Sequence, residues 1–316
     1  MMRRPSGAAT GMIFVLTALT FAAGAAAGEL ISAPGQPPLA PLSAATTGRL
    51  ERASAALRET LAGRRLLAET ADLARRESAA AGEDAVRFLR GPHPVLVFRP
   101  RRLPALSDPE LELALARELA RAAAALPVCV PEEDMAAYQT EIEYAMERSA
   151  GDEAFSQRLR QAYQGAARKD GDARAERRRV QALLPPGEEL APPAAPAPRG
   201  ELERAAGYIR LLTRAPDEFY WAVEKGLPRE PDAVDLSALE DFMERYGPDF
   251  GSARLDPSGR YAHVGGRRYP PALLEAAQRL AESGGLARIR EALGPFDSAG
   301  VAALQVKVNA WLRAAP

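Results

Sequence analysis

Two arginines four residues apart bracket a glutamate in Arg117-Glu118-Leu119-Ala120-Arg121. On a helix that spacing places both guanidiniums on one face. A guanidinium stays protonated and offers no lone pair, so Arg117 and Arg121 cannot ligate a metal. Their chemistry is that of counter-charges. The nearest acidic run, Glu132-Glu133-Asp134, opens the next predicted helix. We expect Arg117 and Arg121 to pair with Glu133 or Glu132 across two facing helices in a salt-bridge cluster. The competing reading leaves both arginines solvated. An Arg121–Glu118 pair within one helix then contributes only a few tenths of a kcal/mol. Glu118, Glu133, Glu141 and Glu143 could also supply paired carboxylates for acid/base work of the glycosidase kind. Spacing alone does not show which of them converge.

Few other residues offer chemistry. The two histidines, His93 and His263, fall in separate hairpin-like turns and read as exposed loop residues. Cys129, the single cysteine, lies between Pro127 and Pro131 and reads as a small buried side chain. The chain contains no Gly-x-Ser-x-Gly elbow, phosphate loop or dinucleotide fingerprint. No cofactor or metal is expected.

The elements that position these residues are mostly helical. From Thr47, Leu50, Ala53, Leu57 and Leu61 recur at helical steps, and Leu66, Leu67 and Leu73 resume them after Gly63. Val86–Leu89 and Val95–Phe98 read as two short strands joined by Gly91-Pro92-His93-Pro94. Ser107-Asp108-Pro109-Glu110 carries a capping side chain, a first-turn proline and acids near the positive dipole end, so a helix runs from Pro109 to about Leu126. Further helices are predicted from Pro131 to Ser149 and from Glu153 to about Ala167. The tract from Lys169 to Arg179 reads as a solvated face interleaved with acids, or as a patch for an anionic partner at Arg177-Arg178-Arg179. Beyond it, Arg260–Tyr269 reads as a hairpin turned at Gly265-Gly266, Pro270-Pro271 opens a helix, and Trp311 anchors the last one. The Phe219-Tyr220-Trp221 cluster reads as core or as a peptide-binding surface.

The chain has 316 residues, 47% of them hydrophobic and only 6% aromatic, with alanine and leucine carrying the apolar share. Such a composition favours helices. A formal net charge of −1 argues against a general nucleic-acid binder. Arg3-Arg4, the apolar run Met12–Ala23 and the small-residue exit Gly24–Gly28 together form the pattern of a secretory signal peptide. The run is shorter than the ~20 residues of a spanning helix. The expected organisation is a signal peptide at 1–27, a Pro/Ala-rich lead-in at 28–46, a helical domain at 47–183, a Pro/Ala linker at 184–200 and a second helical domain at 201–316.

A zinc metallopeptidase of the zincin type carries His-Glu-x-x-His on a helix, with the two histidines on the metal and the glutamate polarising the bound water. Residues 50 to 165 resemble that family. The lead-in Ser107–Leu111, the Arg117-Glu118-x-x-Arg121 helix and the downstream Glu133-x-x-Ala136–Tyr138 region are similar to gluzincin-like bacterial metallopeptidases, with arginines in place of both histidines. The expected fold is mainly α: an N-terminal helical unit with a short strand pair, which the resemblance makes zincin-like α+β, followed by a C-terminal helical unit with a small hairpin that the resemblance does not cover. The resemblance implies a remnant site of Arg117, Glu118, Arg121 and Glu133; together with the leader and the net charge, the expectation is an exported, non-catalytic protein that binds or scaffolds a peptide or protein of the cell envelope, with no nucleic-acid partner and no membrane span after leader cleavage. Two other readings stand beside it: a helical interaction module unrelated to peptidases, and a hydrolase whose carboxylates the spacing does not pair.

Overall fold

The computed structural model describes residues 39–80, 82, 84–91, 93–182, 200–214, 234–247, 253–293 and 298–314. The expected signal peptide, most of the 184–200 linker and the Phe219-Tyr220-Trp221 cluster lie outside these residues. Among the described residues the chain is mainly helical, with 66% helix in ten helices, and carries two small three-stranded sheets.

The first half begins with α1 (Ala44–Arg58) and α2 (Leu61–Glu69). Part of the lead-in is tied down: Ala40 bridges Glu77, and the Ser43 N–H donates to the Glu77 carboxylate at 2.9 Å. The two helices divide at Thr60, whose hydroxyl accepts from the Gly63 N–H at 3.0 Å as an N-cap. Gly63 therefore lies inside α2 rather than interrupting it, and its role is close approach. A Cβ there would stand 2.1 Å from the Leu57 carbonyl oxygen. Leu61, expected on the apolar stripe, sits at the first turn of α2 and is 70% exposed.

The expected strand pair is part of a sheet of three. β1 (Ala74–Glu77) runs parallel to β3 (Val95–Phe98), and β2 (Val86–Leu89) runs antiparallel on the other side of β3. β3 is central and wholly buried, which matches its unbroken Val-Leu-Val-Phe run. β1 reads Ala-Arg-Arg-Glu and has no strand signature; its backbone pairing with β3 makes it a strand.

α3 (Asp108–Ala124) starts where its capping residues demand, with the Ser107 N–H donating to the Glu110 carboxylate at 2.9 Å. It crosses the sheet and packs along α4 (Pro131–Gly151). α5 extends from Glu153 to Gln181, beyond the expected end near Ala167, so the charge-dense tract continues one helix. α6 (Glu201–Arg214) returns against α3, α4 and α5. After it come α7 (Leu236–Tyr246), β4 (Arg254–Leu255), β5 (Ala262–Val264), β6 (Arg267–Tyr269), α8 (Pro271–Glu282), α9 (Leu286–Leu293) and α10 (Ser298–Arg313). The Gly265-Gly266 turn joins β5 to β6 as expected, and β4 adds a third strand on the far edge of β5.

Two apolar cores result. The first gathers α1 to α4, the first sheet, the start of α5, α6 and α10; Trp311 closes it, donating from Nε1 to the Ser156 hydroxyl at 3.1 Å. The second gathers Leu126, Val128 and Val130 with α7, β5, α8 and α9. α6 and α10, both beyond the 184–200 segment, thus share a core with α3 and α4.

Candidate functional site

Arg117 is the largest fully buried side chain among the described residues, at 1% exposure. Burying a guanidinium costs several kcal/mol of lost hydration unless opposite charge surrounds it. Carboxylates surround it here. Its Nη1 and Nη2 face the two oxygens of Glu201 at 2.5 and 3.3 Å, a bidentate pair. Its Nε lies 3.2 Å from Glu118 Oε1, and Nη1 lies 3.5 Å from Glu141 Oε2. Tyr138 offers its ring face, with the guanidinium carbon 5.5 Å from the centroid. Tyr208 stacks against Tyr138 at 4.2 Å between centroids.

Glu118 joins these parts. Its Oε1 accepts from Arg121 Nη1 at 2.6 Å as well as from Arg117, and its Oε2 accepts from the Phe88 N–H at 2.9 Å. Phe88 lies on β2, whose other edge pairs with β3. Alternate N–H groups of an edge strand point away from its neighbour. Glu118 thus closes an outward-facing donor of the sheet edge while balancing two cations. Arg121 reaches on to α4, where its Nη2 lies 2.6 Å from Asp134 Oδ1. Arg204, one turn into α6, lies 3.5 Å from Glu201 Oε2. Glu133 pairs with Arg90, which follows β2.

The expected cluster therefore forms, with a correction to its partners. Arg117 and Arg121 do meet α4, through Glu141 and Asp134 rather than through Glu133 or Glu132. The helical period explains the difference. Glu141 is seven residues beyond Asp134, two turns along the same face, whereas Glu133 is rotated toward the sheet and Arg90. Glu201 was not foreseeable, because it stands on a helix 84 residues away. Its only sequence signal is an acid in the first turn after Gly200.

Electrostatics divides these carboxylates into two kinds. Burial pushes Glu118 up, but the Arg121 and Arg117 cations and the Phe88 N–H outweigh it and hold the carboxyl below its usual value. Glu201 is likewise held low against burial by Arg117 and Arg204. Glu133 and Glu141 go the other way. Burial raises each to about 7, more than Arg90 and Arg117 respectively can offset. The sharing of Arg117 accounts for Glu141: Glu201 holds the guanidinium more closely and adds its own negative charge nearby, so less of the cation is left to offset the burial of Glu141. Burial lowers Arg117 and Arg121, yet the surrounding acids prevail and hold both well above the ordinary arginine value.

The donor set does not fit a zinc ion of the kind that zincin metallopeptidases hold. The two ligand positions hold guanidiniums already engaged by carboxylates, and the helix's glutamate is committed to a backbone N–H. His93 is exposed before β3, and His263 lies on β5 of the other sheet rather than in a turn. Among the described residues no group of three or more His, Cys, Asp or Glu side chains could hold a metal ion. Cys129 is buried, as expected. Two cavities of about 210 and 390 Å³ open elsewhere, one lined by α4 and α10 and one near Asp72 and His93. Arg117, Glu118, Arg121 and Glu133 line neither, and Arg117, Glu118 and Glu133 are buried.

Comparison with models of protein families, with curated proteins and with solved structures finds no match. No helix among the described residues is long and apolar enough to cross a membrane.

Proposed function

We propose that this chain is an exported, non-catalytic binding or scaffold protein of the cell envelope, similar to a metallopeptidase whose metal centre has become a structural ion network. One observation carries the reading. Arg117, at the position of the first imidazole in the motif, is 1% exposed and bound by Glu118, Glu141 and Glu201. A side chain in that state joins α3, α4 and α6, has no lone pair for a metal and is buried away from any substrate. The network takes the role a dication would have among these acids, which is to neutralise them.

The hydrolase reading fares less well on the same ground. Glu133 and Glu141 have carboxyls near the pH where acid/base groups work, but both are 0% exposed and neither borders the two cavities.

Elemental analysis of the purified chain and a peptidase assay on a mixed peptide library test this. The expected result is zinc far below one per chain and no cleavage. One tightly bound zinc per chain, or cleavage abolished by Glu118→Gln in a variant that still folds, would overturn the proposal.

A further inference from the structure

The second sheet carries a feature the ion network does not use. Between residues 253 and 269 the chain has four arginines and a single acid, Asp256. Asp256 is occupied inside its own turn: it accepts from the Ser258 hydroxyl at 2.8 Å and from the N–H groups of Arg260 and Tyr261 at 2.9 and 3.3 Å. Some exposed arginines elsewhere find acids, as Arg290 does with Glu240 at 2.8 Å and Arg279 with Glu275 at 3.4 Å, while Arg64, Arg288 and Arg313 meet backbone carbonyls. Among the described residues no carboxylate lies within ion-pair distance of Arg254, Arg260, Arg267 or Arg268. The strand register sets Arg254, His263 and Arg268 side by side in one cross-strand row. Ala262 and Val264, alternating with His263, face the second core, so the row lies on the opposite, outer face.

The tip of this sheet is also apolar. Leu255 is 60% exposed and Tyr261 is 45% exposed, and they flank the turn that Asp256 holds rigid. They are two of the four large hydrophobic residues that stand exposed among the described residues. The Arg268 guanidinium lies 5.8 Å from the centre of the Tyr261 ring.

We propose that this hairpin tip docks on an anionic lipid bilayer surface, with Leu255 and Tyr261 entering the interfacial layer and the surrounding arginines meeting lipid phosphates. Leu255 lies opposite Ala262 and Tyr261 on the face of the arginine row, so the tip offers an apolar side chain from each face with basic ones behind, matching the two layers of a bilayer interface, greasy below and negative above. A nucleic-acid strand or an acidic peptide would satisfy the arginines but would leave Leu255 in water. Tyrosine with one wet end suits the interface for the same reason.

Co-sedimentation of the full chain with vesicles tests the proposal. The expected result is binding to vesicles of phosphatidylcholine mixed with phosphatidylglycerol and none to phosphatidylcholine alone. The R254Q/R268Q variant should bind about thirtyfold more weakly, since each arginine near a charged leaflet contributes about a fivefold factor. The L255S/Y261S variant should also lose binding, while its circular dichroism spectrum stays that of the parent. Equal binding to both vesicle types, no binding to either, or unchanged binding in both variants would overturn it. So would capture of a DNA oligonucleotide or polyglutamate by a chain that ignores vesicles.

Discussion

Glu118 ties the sheet edge to the two arginines of its own helix. One oxygen balances Arg117 and Arg121, and the other closes the Phe88 N–H at the edge of β2. Glu118→Ala should cost about 3–5 kcal/mol, the usual price of leaving buried ionic partners uncompensated, read as a lower midpoint in urea denaturation. A loss below about 1 kcal/mol would mean that water reaches the arginines. The spacing of Arg117 and Arg121 made their common face legible, and the chemistry of guanidinium made their counter-charge role legible. The identity of their partners was not. Choosing Asp134 over Glu133 requires the rotation of α4 about its axis, and Glu201 requires a tertiary return of the chain that no local pattern encodes.

At the scale of elements, capping chemistry and periodicity located helices well. Ser107 to Glu110 opens α3 where expected, and Pro131 opens α4. Backbone demands hidden in small residues were harder to see. Gly63 looked like a break and is a close contact, because the real break belongs to Thr60. Gly63→Ala should therefore destabilise by about 2 kcal/mol or more despite alanine's better helix propensity, since its methyl would press on the Leu57 carbonyl. Thermal melting of the variant checks this, and an unchanged or raised Tm would contradict it. β1 and β4 stayed hidden for a related reason. Their strand character comes from pairing with β3 and β5, and their own residues, Ala-Arg-Arg-Glu and Arg-Leu, carry none.

At the scale of the whole molecule, three guanidiniums (Arg117, Arg121 and Arg204) meet four carboxyls (Glu118, Asp134, Glu141 and Glu201) in one network, and the Arg90–Glu133 pair is buried beside it. One proton on those acids balances the charge, and stability should follow pH accordingly. Glu133 and Glu141 are raised to about 7 in the folded chain, so each favours folding when protonated and loses that contribution as pH rises through about 7. Glu118 and Glu201 are held low, so their contribution is present above the ordinary carboxyl value and is lost as pH falls through their depressed values. Stability should therefore be greater at about pH 5 than at about pH 8 and should fall again in stronger acid. A urea midpoint that rises steadily from about pH 5 to about pH 8 would contradict this. The Pro/Ala tract at 184–200 stood out in the sequence, yet the division between the two cores follows packing. α6 and α10 join the first core through apolar faces whose partners lie far away in the chain.

The central claim is that Arg117 acts as a buried counter-charge joining helices, and a double-mutant cycle between Arg117 and Glu201 addresses it most directly. Arg117→Met, Glu201→Gln and the double variant would be unfolded in urea beside the parent. The account predicts that each single change costs about 3 kcal/mol or more and that the double costs well under the sum, a coupling of about 2 kcal/mol. Single losses below about 0.5 kcal/mol that simply add would place the arginine in solvent and contradict it.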